Sequence, residues 1–177
     1  MTRAGSAGAA QQLTLVLGGA RSGKSRHAEA LVRALPPPWF YVATGEPRDE
    51  EMAARIAEHR ARRGAGWQTL EAPRDLAGAL AAAPAGAAVL VDCLTLWLTN
   101  VMLAGADIES EIARLEGALA ARPGPVVLVA NEVGLGIVPD NALARRFRDA
   151  AGRLNQRLAA QADSVVLLVA GIPIKVK

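Results

Sequence analysis

Gly18-Gly19-Ala20-Arg21-Ser22-Gly23-Lys24-Ser25 follows directly on the apolar run Leu13–Leu17. It matches the pattern G-x-x-x-x-G-K-[ST] in its expected setting, a short strand before and a helix after. Glycines here let backbone N–H groups turn inward around an anion, where side chains would obstruct. The chemistry this permits is triphosphate binding. Lys24 reaches the β- and γ-phosphates, the Ser25 hydroxyl can ligate Mg²⁺, and the following helix adds its positive N-terminal end. A glycine-rich turn ahead of an ordinary helix is the plainer alternative, and the full match in this context disfavours it.

Other chemistry-bearing residues stand where such a loop would need them. Ala88-Val89-Leu90-Val91-Asp92 is an apolar strand ending in a carboxylate. Opposite a phosphate loop, such an Asp holds Mg²⁺ directly or through water, although strands also end in Asp as a turn or cap residue. The stretch Asp49–Arg63 begins with acids and ends with cations, which suits the helix dipole, and Met52, Ile56 and His59 fall on one stripe. Arg55, Arg62 and Arg63 lie within four residues of His59, disfavour imidazolium and could neutralise a triphosphate. A solvated Arg-rich helix with an incidental histidine fits the same residues. His27, in the first turns after the phosphate loop, reads as a surface or packing residue. Glu71 is an isolated acid; its carboxylate could accept from guanine N1–H and N2–H₂, which adenine cannot match. The loop Asn131–Pro139 follows an apolar run and could turn Asn131 and Glu132 to a ligand.

The elements that must position these residues are read from the apolar pattern. Leu13–Leu17, Trp39–Ala43, Ala88–Val91, Val126–Ala130 and Val165–Val169 are short and nearly continuous, as strands covered on both faces are. Helical stretches lie between them: Lys24–Leu35, Asp49–Arg63, Asp75–Ala82, Thr95–Ala121 with a break near Gly105, and Asn141–Ala162. The tail Ile172–Lys177 alternates and suits an edge strand. The fold class is α/β, a mostly parallel doubly wound sheet with ligands at the carboxyl ends of strands. Residues 1–12 read as a flexible leader and 13–177 as one domain.

Composition narrows the partners. A net charge of +3 is a modest surplus of Arg, clustered at Arg55–Arg63 and Arg145–Arg157, and not a polycationic stripe. With 3% aromatic residues there is no platform for stacking nucleic-acid bases. The single cysteine, Cys93, excludes an intrachain disulfide and reads as a small buried hydrophobe. Leu76–Ala106 is apolar but interrupted by Pro84, Gly86, Asp92 and Asn100, so a membrane span is a poor fit and a cytoplasmic protein the expectation.

Taken together, these residues resemble the bifunctional adenosylcobinamide kinase/adenosylcobinamide-phosphate guanylyltransferases of cobalamin biosynthesis. The likeness rests on Gly18–Ser25, Ala43-Thr44-Gly45, the Asp49–Arg63 helix, Trp67 with Glu71, Asp92, Asn131–Pro139, Arg145–Gln156 and Gly171–Lys177. It implies two reactions. A terminal phosphate of ATP or GTP passes to adenosylcobinamide, and GMP from GTP then passes through a covalent histidine to adenosylcobinamide phosphate. The resemblance makes His59 that nucleophile, with Glu58 where some relatives carry a second histidine. It places GTP contacts on the phosphate loop, Ala43, Thr44, Gly45, Arg60, Ala61, Arg62, Arg63, Glu71 and Asp92, and suggests a homo-oligomer, a trimer. Two other readings compete: a kinase of another small metabolite with His59 structural, and a regulatory or assembly ATPase acting through protein partners.

Overall fold

The computed structural model describes residues 12–177, the side chains of Arg55 and Arg62 excepted. The expected leader therefore lies, save Gln12, outside the described residues. Thirteen elements follow in order: β1 (Leu13–Gly18), α1 (Lys24–Arg33), β2 (Trp39–Ala43), α2 (Glu50–Arg63), β3 (Trp67–Glu71), α3 (Leu76–Ala82), β4 (Ala88–Asp92), α4 (Leu94–Leu103), α5 (Ile108–Ala121), β5 (Val126–Asn131), α6 (Ala142–Gln161), β6 (Ser164–Val169) and β7 (Ile172–Lys175). They build one seven-stranded sheet in the order β3-β2-β4-β5-β1-β6-β7. Every pairing is parallel except β6 with β7.

The sheet is doubly wound, because side chains alternate along each strand and both faces are apolar. Leu13, Leu15, Val89, Val91, Val126 and Leu128 meet α3, α4, α5 and α6 on one face. Val16, Tyr41, Leu90, Val127 and Val129 meet α1, through Ala28 and Val32, on the other. Trp97 of α4 is fully buried and donates its Nε1–H to the Arg74 carbonyl at 2.8 Å, so its polar end is satisfied within the core. Truncating such a side chain to Ala costs about 3–5 kcal/mol.

Two differences from the expected elements have physical causes. Strand β3 was not expected; its residues are half-exposed or exposed, and it forms the edge of the sheet beside β2, so no continuous apolar run marks it. The stretch expected as one broken helix is two, with Gly105 in the left-handed region (φ 69°) after α4. The tail does pair as an edge strand. Its turn uses Ala170 (φ 51°) and Gly171 (φ 81°), the two positive-φ positions a tight hairpin needs.

At the end of the sheet where β4 begins, the buried Arg122 ties the chain together. Its Nη1 donates to the Leu80 and Ala83 carbonyls at 2.8 and 2.9 Å, and its Nη2 to those of Pro84 and Ala87 at 3.0 and 2.9 Å. These are carbonyls at the end of α3 and in the turn into β4, which the helix itself cannot satisfy.

Register sets the opposite, carboxyl edge. Ala43 of β2 stands level with Glu71 of β3 on one side and Asp92 of β4 on the other. Gly18 of β1 stands level with Asn131 of β5. Five strand ends therefore deliver chemistry-bearing residues to one rim, about 4.8 Å apart strand to strand.

Candidate active site

The phosphate loop closes the end of β1. Gly18 must be glycine: a Cβ there would sit 2.6 Å from Ser22 Oγ and 2.7 Å from the Leu168 carbonyl. Gly23 (φ 94°) precedes α1 and no side chain caps the helix, so its first N–H groups face the loop. Lys24 is buried and its Nζ donates to the Gly19 carbonyl at 2.6 Å. Gly171 N–H donates to the Ser22 carbonyl at 3.0 Å, which braces the loop against the β6–β7 turn.

Helix α2 lies across from this loop. Asp49 caps it, accepting from Met52 N–H at 2.7 Å. Among its described side chains only Arg63 is buried, so the sheet does not hold this helix by an apolar face. Two of its cations reach neighbouring strands. The Arg63 guanidinium lies 3.6 Å over the Tyr41 ring, a desolvated contact worth up to about 2 kcal/mol. Arg60 Nη2 reaches Glu71 Oε1 at 2.6 Å, an exposed pair worth at most about 1 kcal/mol.

His59 on this helix turns its Nδ1 toward Asp92 Oδ2, 4.0 Å away. That oxygen is buried and has no hydrogen-bond partner among the described residues. Burial first, and the Asp92 charge second, push the Tyr41 hydroxyl well above its ordinary range. The same two causes push the Cys93 thiol up to about 11. Cys93 is thus the inert buried residue its context suggested, one side of a polar clamp. Thr44 Oγ1 donates to the Cys93 carbonyl and accepts from its N–H, both at 2.8 Å. Asn100 donates to the Thr44 and Pro73 carbonyls at 2.8 and 2.9 Å and accepts from Arg48.

All of this encloses one cavity of about 500 Å³, a size suited to one small ligand. Ala20 to Ser25, Ala43, Gly45, His59, Arg60, Arg63, Glu71 and Asp92 line it together. Gly18, Gly19, Thr44 and Ala61 do not; the two glycines shape the loop from behind, and the Thr44 hydroxyl is engaged by Cys93. The Arg55 and Arg62 side chains, expected beside His59, lie outside the described ones. The sequence reading missed Tyr41, whose ring carries Arg63 and whose hydroxyl meets Asp92. A lone tyrosine within an otherwise apolar strand was the available signal. His27 lies on α1 outside the lining. The Arg145–Arg157 cluster is largely paired elsewhere: Arg157 bonds Glu109 and Glu116 of α5, and Arg148 bonds Asp149.

A divalent ion has a place in this arrangement. Asp92, one of whose oxygens is buried without a partner, and Ser25 line the same cavity, and a carboxylate with a hydroxyl is a donor set that suits Mg²⁺. Among the described residues no group of three or more His, Cys, Asp and Glu could hold a metal ion, so phosphate oxygens would complete its shell.

The fold and the site define a P-loop nucleotide-binding protein of the α/β class. A solved ATPase of the type III secretion system of pathogenic bacteria shares the fold, with a TM-score of 0.56 at 14% identity over 90% of this chain. The chain spans 52% of that ATPase. The particular family follows from residues 14–176, which match the model for cobinamide kinase/cobinamide phosphate guanyltransferase: the chain belongs to this family of transferases. It is 49% identical to the bifunctional adenosylcobalamin biosynthesis protein CobP of Pseudomonas aeruginosa, over 92% of this chain and 96% of that protein. It is also 49% identical to CobU of Salmonella typhimurium, over 93% and 99%, and 45% identical to CobU of Escherichia coli K12, again over 93% and 99%. No described helix is long and apolar enough to cross a membrane.

Proposed function

We propose that this chain phosphorylates the aminopropanol hydroxyl of adenosylcobinamide with ATP or GTP, and then transfers GMP from GTP through His59 to give adenosylcobinamide-GDP. The observation that carries the reading is that His59 and the phosphate loop line one cavity. In the kinase step Lys24 and the bare N-terminus of α1 neutralise charge on the passing phosphoryl group. Mg²⁺ held between Ser25, Asp92 and the nucleotide would neutralise further phosphate charge. In the transferase step His59 attacks the α-phosphorus of GTP. A P–N bond forms, the bond to the β-phosphate oxygen breaks, and pyrophosphate leaves. An oxygen of adenosylcobinamide phosphate then attacks the same phosphorus and the imidazole departs. With Nδ1 turned to Asp92, Nε2 is the attacking nitrogen, and the carboxylate offsets the positive charge the ring gains in the adduct.

Glu71 reads guanine in this scheme, in exchange for its contact with Arg60, while Ala43, Gly45, Arg60, Arg62 and Arg63 surround the nucleotide. The protein works in the cytoplasm as a homo-oligomer, a trimer. The exposed Ile172, Ile174 and Val176 at the β7 edge support subunit pairing there. The test is GTP labelled in its α-phosphate, followed by denaturation and intact mass measurement. GMP should remain on the protein in an acid-labile, relatively base-stable bond. His59→Ala should abolish it and leave kinase turnover measurable, and His27→Ala should keep it. An adduct retained by the His59 variant and lost from the His27 variant would reassign the nucleophile.

A further inference from the structure

The cavity accounts for a nucleotide and leaves the other substrate without a seat. A corrinoid is a wide, nearly flat macrocycle with apolar faces and a rim of amides. The cavity, about 500 Å³ and lined by Lys24, Arg60, Arg63, Glu71 and Asp92, is the size of one small ligand and charged. The ring must therefore stay outside while its aminopropanol arm reaches in.

One surface next to the cavity has the chemistry for such a ring. The loop that leaves β5 starts at Asn131, which lines the cavity, and is tied to the phosphate loop's strand by Glu132 N–H donating to the Gly18 carbonyl at 3.0 Å. From Val133 to Pro139 it carries no charge. Leu135 is 86% exposed, Ile137 97% and Val138 63%. Gly134 and Gly136 stand among them without side chains, and a Cβ at Gly136 would meet only open space, so a flat ring can come close. The loop is also held in shape. Glu132 accepts from Gly134 N–H at 2.7 Å, and Arg145 Nη1 donates to the Pro139 and Asp140 carbonyls at 2.9 and 2.7 Å. Apolar side chains displayed on a braced loop beside a charged cavity mark a binding surface.

We propose that the loop 133–139 is the acceptor site, on which Leu135, Ile137 and Val138 receive the apolar face of the corrin ring. This rests on the cobinamide reading above. The experiment compares wild type, Ile137→Ser and the double variant Leu135→Ser/Ile137→Ser; both positions are exposed, so folding is spared. Guanylyl transfer to adenosylcobinamide phosphate is measured beside transfer to 1-amino-2-propanol phosphate, which lacks the ring. The double variant should raise KM for the corrinoid at least tenfold with kcat held within twofold. Its transfer to the ringless acceptor, and its self-guanylylation by GTP alone, should match wild type. An unchanged corrinoid KM overturns the proposal, as does an equal loss with the ringless acceptor. A variant that sediments as a different oligomer assigns the loop to a contact with a second copy and overturns it whatever its KM. A wild-type protein that forms the GMP adduct but transfers it to neither acceptor refutes the cobinamide reading itself, and this site with it.

Discussion

Two charged groups stand at opposite ends of β4, the buried Arg122 that follows α5 and the half-buried Asp92 that ends the strand, and they are treated in opposite ways. Where it begins, Arg122 directs both terminal nitrogens at four carbonyls, with only its Nε left over. Where it ends, Asp92 keeps a buried oxygen without a partner, facing His59. A buried charge is costly unless its hydrogen bonds are made, so the first arrangement stabilises the fold and the second weakens it. The difference separates architecture from chemistry: the orphaned oxygen is tolerated because something else is meant to meet it.

Substitutions at the two ends should therefore fail in different assays. The largest effect is expected at the active rim. Lys24→Ala should lower kinase turnover roughly 10²–10³-fold at saturating nucleotide, since the ammonium acts where charge develops. Undiminished turnover would remove Lys24 from the chemistry. Asp92→Asn should cost about 10–100-fold in activity while the melting temperature stays level or rises, because the buried, partnerless Oδ2 no longer belongs to a charged group. A clear fall in melting temperature would make Asp92 a structural residue and erase the contrast. Arg122→Ala should do the reverse, lowering unfolding free energy by about 2–4 kcal/mol in denaturant titration as the carbonyls lose their donors. Its kcat should stay near wild type wherever the protein remains folded. The smallest effect concerns the rim's outer end. Glu71→Gln should weaken GTP about tenfold by calorimetry, roughly the value of one charged hydrogen bond, with ATP little changed. An equal loss for both nucleotides would mean Glu71 does not read the base.

The rim was far more legible in the sequence than the frame that holds it. Gly18–Ser25 and Asp92 announce themselves because glycines, a lysine and a strand-ending carboxylate have few other reasons to stand in that order. The apolar runs of β1, β4 and β5 were equally plain, since strands covered on both faces leave no polar gaps. Strand β3 was invisible for the converse reason: at the sheet's edge, Trp67 and Leu70 are only half-buried and the residues between them are exposed. Its register with β2 is what places Glu71 in line with Asp92, so no local pattern could show the two as neighbours. Nor could spacing along α2 reveal where Arg63 goes. The sequence suggested Arg63 as one of the cations beside His59, whereas in the fold its guanidinium covers Tyr41, and the carboxylate of Asp92 lies 4.0 Å from the His59 ring. Arg122 carried no signal at all, because its four acceptors come from a turn and a helix end that only the packed chain brings together.

The bracing of the phosphate loop has a consequence for the order in which this molecule is completed. Strand β1 lies between β5 and β6, Leu13 N–H donates to Asp163 across 150 residues, and the loop itself is tied to Gly171. The nucleotide cradle precedes in the chain both strands that flank it, β5 and β6, so it takes its final shape only after they have followed and paired with β1. Pairings of such long range are reached late in folding. A nucleotide can then recognise only the finished molecule. It acts as a lock applied afterwards, slowing unfolding without speeding the search that precedes it.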